Sequence, residues 1–345
     1  MDDEEEKELL KAAIKLGSVA GDIINSNKDN GIPLSRIKNT HWHELVYNPL
    51  ALLQLSMPHK NQHSSVEWQV RNGESDLLLR AGKIKNKDGH FESAGLPYGA
   101  FTRYILLWVY FTVQHEKKRS IFLGHSESQI LKKLDYDTQG GSYKNLHEHM
   151  PRLFHCDLII NKRFPDIDIG DENRFPFQGK ADITEYQRFA STIAKFENKS
   201  KSKNPDDERR GYFLDLSEGF YNSIIHNPLP IDIKHVRELV KGGNSYKVDI
   251  YTFLADRLHQ IPKDKPLLIE QHDIEDLFGI NSSDKGKFYR DKFLKNLEVV
   301  ISQTYKDANV EIVKKQGIVL HNSPPPLPLD KPESTDQLPK PSEGQ

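Results

Sequence analysis

The chain of 345 residues carries a single cysteine, Cys156, which excludes an internal disulfide and suits a reducing compartment. No apolar run approaches the ~18 residues that a membrane-spanning helix needs. No glycine-rich phosphate loop of the Walker A form is present, so unwinding powered by ATP is not expected of this chain. The acidic residues Asp166, Asp168, Asp171 and Glu172 lack the spacing and the glycine of a calcium loop. A strong charge of one sign is missing as well: 48 Lys and Arg against 50 Asp and Glu leave a formal −2. That balance is only weak evidence against a nucleic-acid partner, because phosphate binding depends on local faces and not on the total. Residues Asp2 to Glu6 are acidic where a secretion signal would be basic, which sets the expectation of a cytoplasmic protein.

What is present suits a polar globular chain: 36% apolar and 28% charged residues, enough for two ordinary domains with a core each. Residues Asp2 to Asn25 read as one helix with an acidic first turn, followed by a polar linker from Asn27 to Asn39. Thr40 then stands where a cap would open a helix reaching Leu55. Val66 to Val70 and Asp76 to Gly82 read as strands around an Asn72-Gly73 turn. The most apolar helix, Phe101 to Gln114, should lie at the centre of a first core, with Arg119 to Leu123 as a short strand after it. Strand Tyr212 to Leu216 and helices Ser217 to Ile225, Ile233 to Val240 and Tyr246 to Leu258 open a second domain.

One pattern occurs twice: an amphipathic helix, a glycine-containing turn, a second helix with a basic outer face, then strand-like residues. The first copy runs from Ser126 through Gly140-Gly141 to Phe154, the second from Ile269 through Gly279 to Tyr305 and into a hairpin closing at Leu320. A helix carried on a turn and backed by a hairpin is the device of a winged-helix DNA reader. The predicted fold is therefore α+β, with tandem winged-helix domains. Its divisions are an N-terminal helix and linker (1–40), a first winged-helix domain (41–165) and a polar connecting segment (166–210). A second winged-helix domain (211–322) and a disordered proline-rich tail (323–345) complete it.

In the second copy Lys285, Lys287, Arg290, Lys292 and Lys295 face a single acid, Asp291, a local sum of +4. Arginine and asparagine are the side chains that read guanine and adenine edges, so Arg290 and Asn296 are candidate base readers. The lysines are candidate phosphate contacts, and Tyr289 lies among them. Lys314 and Lys315 fall at the tip of the hairpin formed by Val310–Val313 and Ile318–Leu320. The first copy is less basic, with Lys144, Asn145 and Arg152 directed outward, and Pro151 should kink or shorten its helix. Against this stands the plain alternative that a lysine-rich amphipathic helix is only a solvated face.

The stretches GLPYGAFTRYILLWVYF, SIFLGHSESQILKKLDYDTQGGSYKNLHEHMPRLF, FLDLSEGFYNSIIHNPLPID, YKVDIYTFLADRLHQIP, DLFGI, FYRDKFLKNLEVV and GIVLHNSPPP, in this order, resemble the RepA-type plasmid replication initiators. The resemblance covers roughly Leu96 to Pro326 and leaves out the N-terminal quarter. It implies a protein that binds double-stranded origin DNA, often at repeated sites, and helps open it for host initiator and helicase proteins. It implies no catalytic centre and no cofactor, and a homodimer is compatible with it. Arg103, Asp249 and Arg257, charged residues on otherwise apolar helices, are expected to be paired structural groups.

Two enzymatic or metal-binding readings compete. His41-Trp42-His43 fits the His-hydrophobic-His pattern of rolling-circle nicking enzymes, which hold a divalent metal, but no convincing carboxylate and tyrosine set completes it. His147, His149, His155 and Cys156 lie close in sequence, but no second cysteine supports a zinc site. A DNA-binding transcriptional repressor is a third possibility, since repression and initiation both need sequence-specific binding.

Overall fold

The structure is a computed structural model that describes residues 57–72, 75–169, 177–196, 211–226, 229–278 and 285–327. The expected helices before residue 56, the His41/His43 pair and the tail beyond residue 327 lie outside these residues. Helix and strand are mixed throughout.

The first strands are β1 (Glu67–Asn72) and β2 (Ser75–Arg80), an antiparallel pair. Alternation gives β2 its role, since Leu77 and Leu79 are fully buried while Leu78 between them is not. A small ribbon of β3 (Lys83–Lys85) and β4 (Phe91–Ser93) follows. Helix α1 (Gly99–Glu116) is apolar on nearly every side and is buried accordingly. It ends at Lys117, in the left-handed region with φ of 54°, whose N–H donates to the Val113 carbonyl.

Strand β5 (Ser120–Gly124) leads into α2 (Glu127–Lys133), capped by Ser126 Oγ accepting the Gln129 N–H. Helix α3 (Gly140–Phe154) follows. Gly140 and Gly141 open α3 and do not form the turn before it; Asp135, with φ of 54°, provides the left-handed residue there. Pro151 does not shorten α3, which runs on to Phe154.

The expected connecting segment 166–210 is corrected where it is described: residues 166–169, 177–188 and 190–196 lie in strands, and 170–176 and 197–210 fall outside the described residues. β6 (Asp157–Ile169), β7 (Phe177–Arg188) and β8 (Ala190–Phe196) are strands. β6 and β7 join β1 and β2 in a sheet of order β1-β2-β6-β7. In β7 the residues Asp182, Thr184, Tyr186 and Arg188 are exposed, so one face of this sheet is wet and reads as polar in sequence. Arg80 pairs with Glu67, and Arg188 with Asp157, on that face. Strand β9 (Gly211–Leu216) lies between β5 and β8, so a strand assigned to the second domain pairs with one assigned to the first.

Helices α4 (Glu218–His226), α5 (Ile233–Val240) and α6 (Ser245–Arg257) come next. Asp232 and Asn244 cap α5 and α6 through their side-chain oxygens. Strand β10 (Leu267–Glu270) and helix α7 (Gln271–Phe278) precede a rod over residues 285–304, the long helix. It is built of α8 (Lys285–Phe288), a π turn (Tyr289–Phe293), α9 (Leu294–Val299) and a second π turn (Val300–Thr304). Strands β11 (Val310–Val313) and β12 (Gly317–Leu320) close a sheet of order β10-β12-β11. Gly317 has no alternative there, because a Cβ would stand 2.0 Å from the Ile269 carbonyl oxygen.

The tail boundary at 323 also needs correction for its first residues. Ser323 is buried, its N–H donates to the Leu258 carbonyl, and its hydroxyl accepts the Asn309 N–H. Tyr305 Oη donates to the Pro324 carbonyl at 2.7 Å.

One continuous core runs from Met57 to Leu320. α1 packs against α3 on one side and against α4, α5 and α6 on the other. Arg103 of α1 is fully buried, with Nε 2.6 Å from Asp249 Oδ1 on α6 and further bonds to the carbonyls of Met57, Pro58 and Gly99. A second tie is Arg237 of α5, which lies over the Tyr136 ring at 3.8 Å and donates to the Asp135 carbonyl. Arg257 is likewise buried, 3.8 Å from Asp256.

Candidate nucleic-acid interface

The long helix is sealed on one side and cationic on the other. Phe288, Tyr289, Phe293, Leu297, Val300 and Thr304 are buried, while Lys287, Arg290, Lys292 and Lys295 are exposed with Asp291 and Glu298. The first π turn makes this division possible. Counted at 100° per residue on an unbroken α-helix, Arg290 would lie within about 20° of buried Leu297, and Phe288 about 180° away from it. A π turn holds one extra residue and resets that phase by about 100°, which takes Phe288 and Tyr289 into the core and turns Arg290 outward.

Two of the expected contacts on this helix are corrected. Tyr289 is 4% exposed and stacks on Phe293, so its ring belongs to the core; burial raises its phenol pKa, and its hydroxyl has no hydrogen-bond partner among the described residues. Asn296 is 9% exposed, at the edge of the apolar stripe. Its Oδ1 accepts from Asn244 Nδ2 at 2.9 Å and its Nδ2 donates to the Lys292 carbonyl at 2.8 Å, so it fastens the long helix to the cap of α6. Buried at the edge of the core and held through both ends of its amide, it does not project outward as a base reader would. Lys285 begins α8, and Lys287, Arg290, Lys292 and Lys295 stand along one exposed side.

Lys292 links this surface to the interior. Its ammonium is 5.7 Å from the centroid of Tyr246, whose ring stacks on His59 at 3.6 Å. His59 Nδ1 is 2.7 Å from Ser245 Oγ, and burial first, then nearby Arg103 and Lys292, hold its pKa well below the usual imidazole value. The imidazole is therefore neutral at pH 7.

At the hairpin tip Lys314, Lys315 and Gln316 are exposed, and Lys315 adopts φ of 65° so that the Gln316 N–H can donate to the Val313 carbonyl. In the first unit, α3 exposes Lys144 and Asn145. Arg152 is corrected: its guanidinium lies over the Tyr98 ring at 5.3 Å and is 3.4 Å from the Leu96 carbonyl and 3.5 Å from Glu148 and Asn61. It braces the loop before α1 and does not face solvent as a free cation.

The histidines near Cys156 do not converge. His147 faces Glu127 at 2.9 Å, His149 is buried 2.8 Å from Thr102 Oγ1, and His155 Nδ1 is 3.0 Å from the Pro151 carbonyl. Among the described residues no group of three His, Cys, Asp or Glu side chains could hold a metal ion. Among them, too, no helix is long and apolar enough to cross a membrane.

A feature not anticipated from sequence is the β3–β4 ribbon, where Lys83, Lys85, Lys87 and the 70%-exposed Phe91 stand together. Its signal was present in the alternating Lys83-Ile84-Lys85 and in the Asn86 to Gly89 turn.

Comparison with known proteins follows the same outline. The chain matches the protein family described as plasmid-encoded RepA protein over residues 96–270. A crystal structure of domains 2 and 3 of RctB, a selenomethionine derivative, is similar in fold, with a TM-score of 0.51 at 10% identity over 80% of this chain and 99% of that one. A second crystal structure of those two domains gives 0.45 at 7% identity, over 78% and 94% of the respective chains. Among curated proteins none matches the chain in sequence.

Proposed function

This chain belongs to the plasmid-encoded RepA family of replication initiators, and from that premise we propose that it binds double-stranded DNA at its plasmid's origin and promotes opening there. The observation that carries the reading is the exposed row Lys287, Arg290, Lys292 and Lys295 on a rod whose opposite side is locked into the core. A helix ~10–12 Å across fits a major groove ~12 Å wide. The order α6, β10, α7, long helix, β11, β12, with sheet order β10-β12-β11, supports a winged-helix reading of this half.

The first half supports a looser version of the same plan. α1, β5, α2 and α3 precede the β6–β7 hairpin, but β5 pairs with β9 and not with that hairpin. In this reading Arg290 takes a base edge, and Lys287, Lys292 and Lys295 take phosphates. Lys314 and Lys315 grip the backbone beyond the groove, while Lys144 and Asn145 add auxiliary contacts. Holding two stretches of duplex at once bends it and lowers the cost of melting a neighbouring segment. Host initiator and helicase proteins then act on the opened strands, and the chain's own part is binding without catalysis or cofactor. A homodimer would let the same protein repress its own gene from an inverted repeat.

The test is anisotropy titration with duplex from the plasmid's own origin and with random duplex of the same length. Arg290→Ala should cost about 1–3 kcal/mol on the origin site and much less on random DNA. Equal loss on both would make Arg290 a phosphate contact; failure of the wild type to prefer origin DNA at moderate salt would remove the reading.

A further inference from the structure

The β3–β4 ribbon has two unlike faces. Cross-strand register places Lys83 opposite Ser93 and Lys85 opposite Phe91, so these four share one face, while Ile84 and Glu92 share the other. Ile84 is half-buried, and Glu92 accepts a hydrogen bond from Asn86 Nδ2 at 3.4 Å. The acid is therefore turned away from the lysine–phenylalanine face. Isolated exposed apolar residues are ordinary; a phenyl ring 70% exposed directly across from a lysine, with a second lysine two residues along, is a more particular arrangement.

The ribbon is also held rigidly for so short an element. Asn86 Oδ1 accepts the N–H groups of Asp88 and His90, the Asn86 N–H donates to the His90 carbonyl, and Gly89 supplies the left-handed residue at φ of 86°. At the base the Ala94 N–H donates to the Gly82 carbonyl at 2.9 Å. Gly82 lies so close to the end of α3 that a Cβ there would stand 1.7 Å from the His155 carbonyl oxygen. These contacts fasten the ribbon's turn and its base to the first unit.

We propose that this face is a second nucleic-acid contact that takes a single strand of DNA, with one base stacked on Phe91 and phosphates on Lys83 and Lys85. The cations select a polyanion, and the ring selects one whose flat faces are open. A duplex hides its base faces inside the stack, whereas an unpaired strand offers them at every nucleotide. Lys83 and Lys85 stand about 6.7 Å apart along the strand, so each takes a separate phosphate. The inference rests on the reading of the chain as an initiator that opens DNA, and it gives the first unit a role beyond its weakly basic α3: holding a strand once it is released.

The experiment uses the full chain, labelled oligo(dT), and origin duplex in parallel. Phe91→Ala should weaken oligo(dT) binding by about fivefold or more while leaving origin duplex binding unchanged. Phe91→Trp should retain oligo(dT) binding, and its added fluorescence should be quenched as the oligonucleotide saturates. Unaltered oligo(dT) affinity in the alanine variant, or an indole signal indifferent to oligo(dT), overturns the proposal. So does an equal loss on duplex, which would make the ribbon a duplex contact, or a change in particle mass, which would make it a self-association patch. If the wild type binds origin duplex but not oligo(dT), this inference falls alone; if it binds neither, the initiator reading falls with it.

Discussion

The long helix and α3 each precede an antiparallel strand pair, yet they put their charges to different uses. On the long helix four cations stand outside while the residues between them seal the core. On α3 the cation nearest the C-terminus, Arg152, lies against Tyr98 and the Leu96 carbonyl, and of the three candidate contacts Lys144 and Asn145 remain outward. Counting basic residues along a helix therefore overstates a surface; what matters is which of them stand exposed. On the proposed reading, the second unit takes the groove, while Arg152 of the first braces the loop before α1.

The largest effect should come from breaking what joins the two units. Removing one partner of the buried Arg103–Asp249 pair leaves a charge or a set of carbonyls uncompensated. Arg103→Met should cost about 3–5 kcal/mol in urea unfolding. Because the pair bridges α1 and α6, the loss should appear in a single cooperative transition. A separate early transition affecting only the first half would show the units to be independent, and the comparison would then be between two proteins on one chain.

Acid offers the next test, and it acts mainly on the first unit. Burial of His149 beside Phe101 and Thr102 lowers its pKa from the usual 6.5 to about 4. Its folded pKa lies below its unfolded value, so between pH 6.5 and 4 the unfolded chain binds more protons. Stability should fall as pH drops through that window, and the full shift corresponds to about 3 kcal/mol as an upper figure. His149→Gln should flatten the dependence of melting temperature on pH across that range; a profile identical to the wild type would mean that His149 does not titrate differently on folding. His59 is lowered too, so some slope should remain in the variant.

The sequence disclosed elements better than it disclosed partners. The helix at 101–114, the strand at 212–216 and the hairpin around Lys314-Lys315 lie where periodicity and turn residues place them. Pairing of Arg103, Asp249 and Arg257 was legible because a lone charge on an apolar helix has few other fates. The strands within 166–196 were not legible, since exposed residues such as Asp182, Thr184, Arg188 and Lys195 read as a polar stretch. Nor could the π turn be read, and without it a fixed 100° count misplaces both Phe288 and Arg290. The burial of Asn296 depended on Asn244, some fifty residues earlier, a relation no local pattern encodes.

Salt dependence ranks the long helix against α3. On origin duplex, Lys287→Ala with Lys295→Ala should lower the slope of log affinity against log salt by about 2, as two phosphate contacts are lost. Lys144→Ala should lower it by about 1 at most and leave the preference for origin over random DNA intact. A larger loss from Lys144 than from the pair would reverse the assignment of roles between the units.

The smallest expected effect isolates charge from backbone at the hairpin tip. Lys315 holds a left-handed conformation that costs an ordinary residue about 1–2 kcal/mol relative to the right-handed form, and glycine adopts it freely. The gain is partly offset by the greater freedom of glycine in the unfolded chain, roughly 0.5–1 kcal/mol. Lys315→Gly should therefore leave the melting temperature unchanged or slightly raised while removing one cation. Its salt slope on origin DNA should fall by about 1 if the tip touches the backbone. With the turn intact, an unaltered slope cannot be blamed on a disordered hairpin, so it would take the tip out of the footprint and leave the long helix as the contact of the second unit.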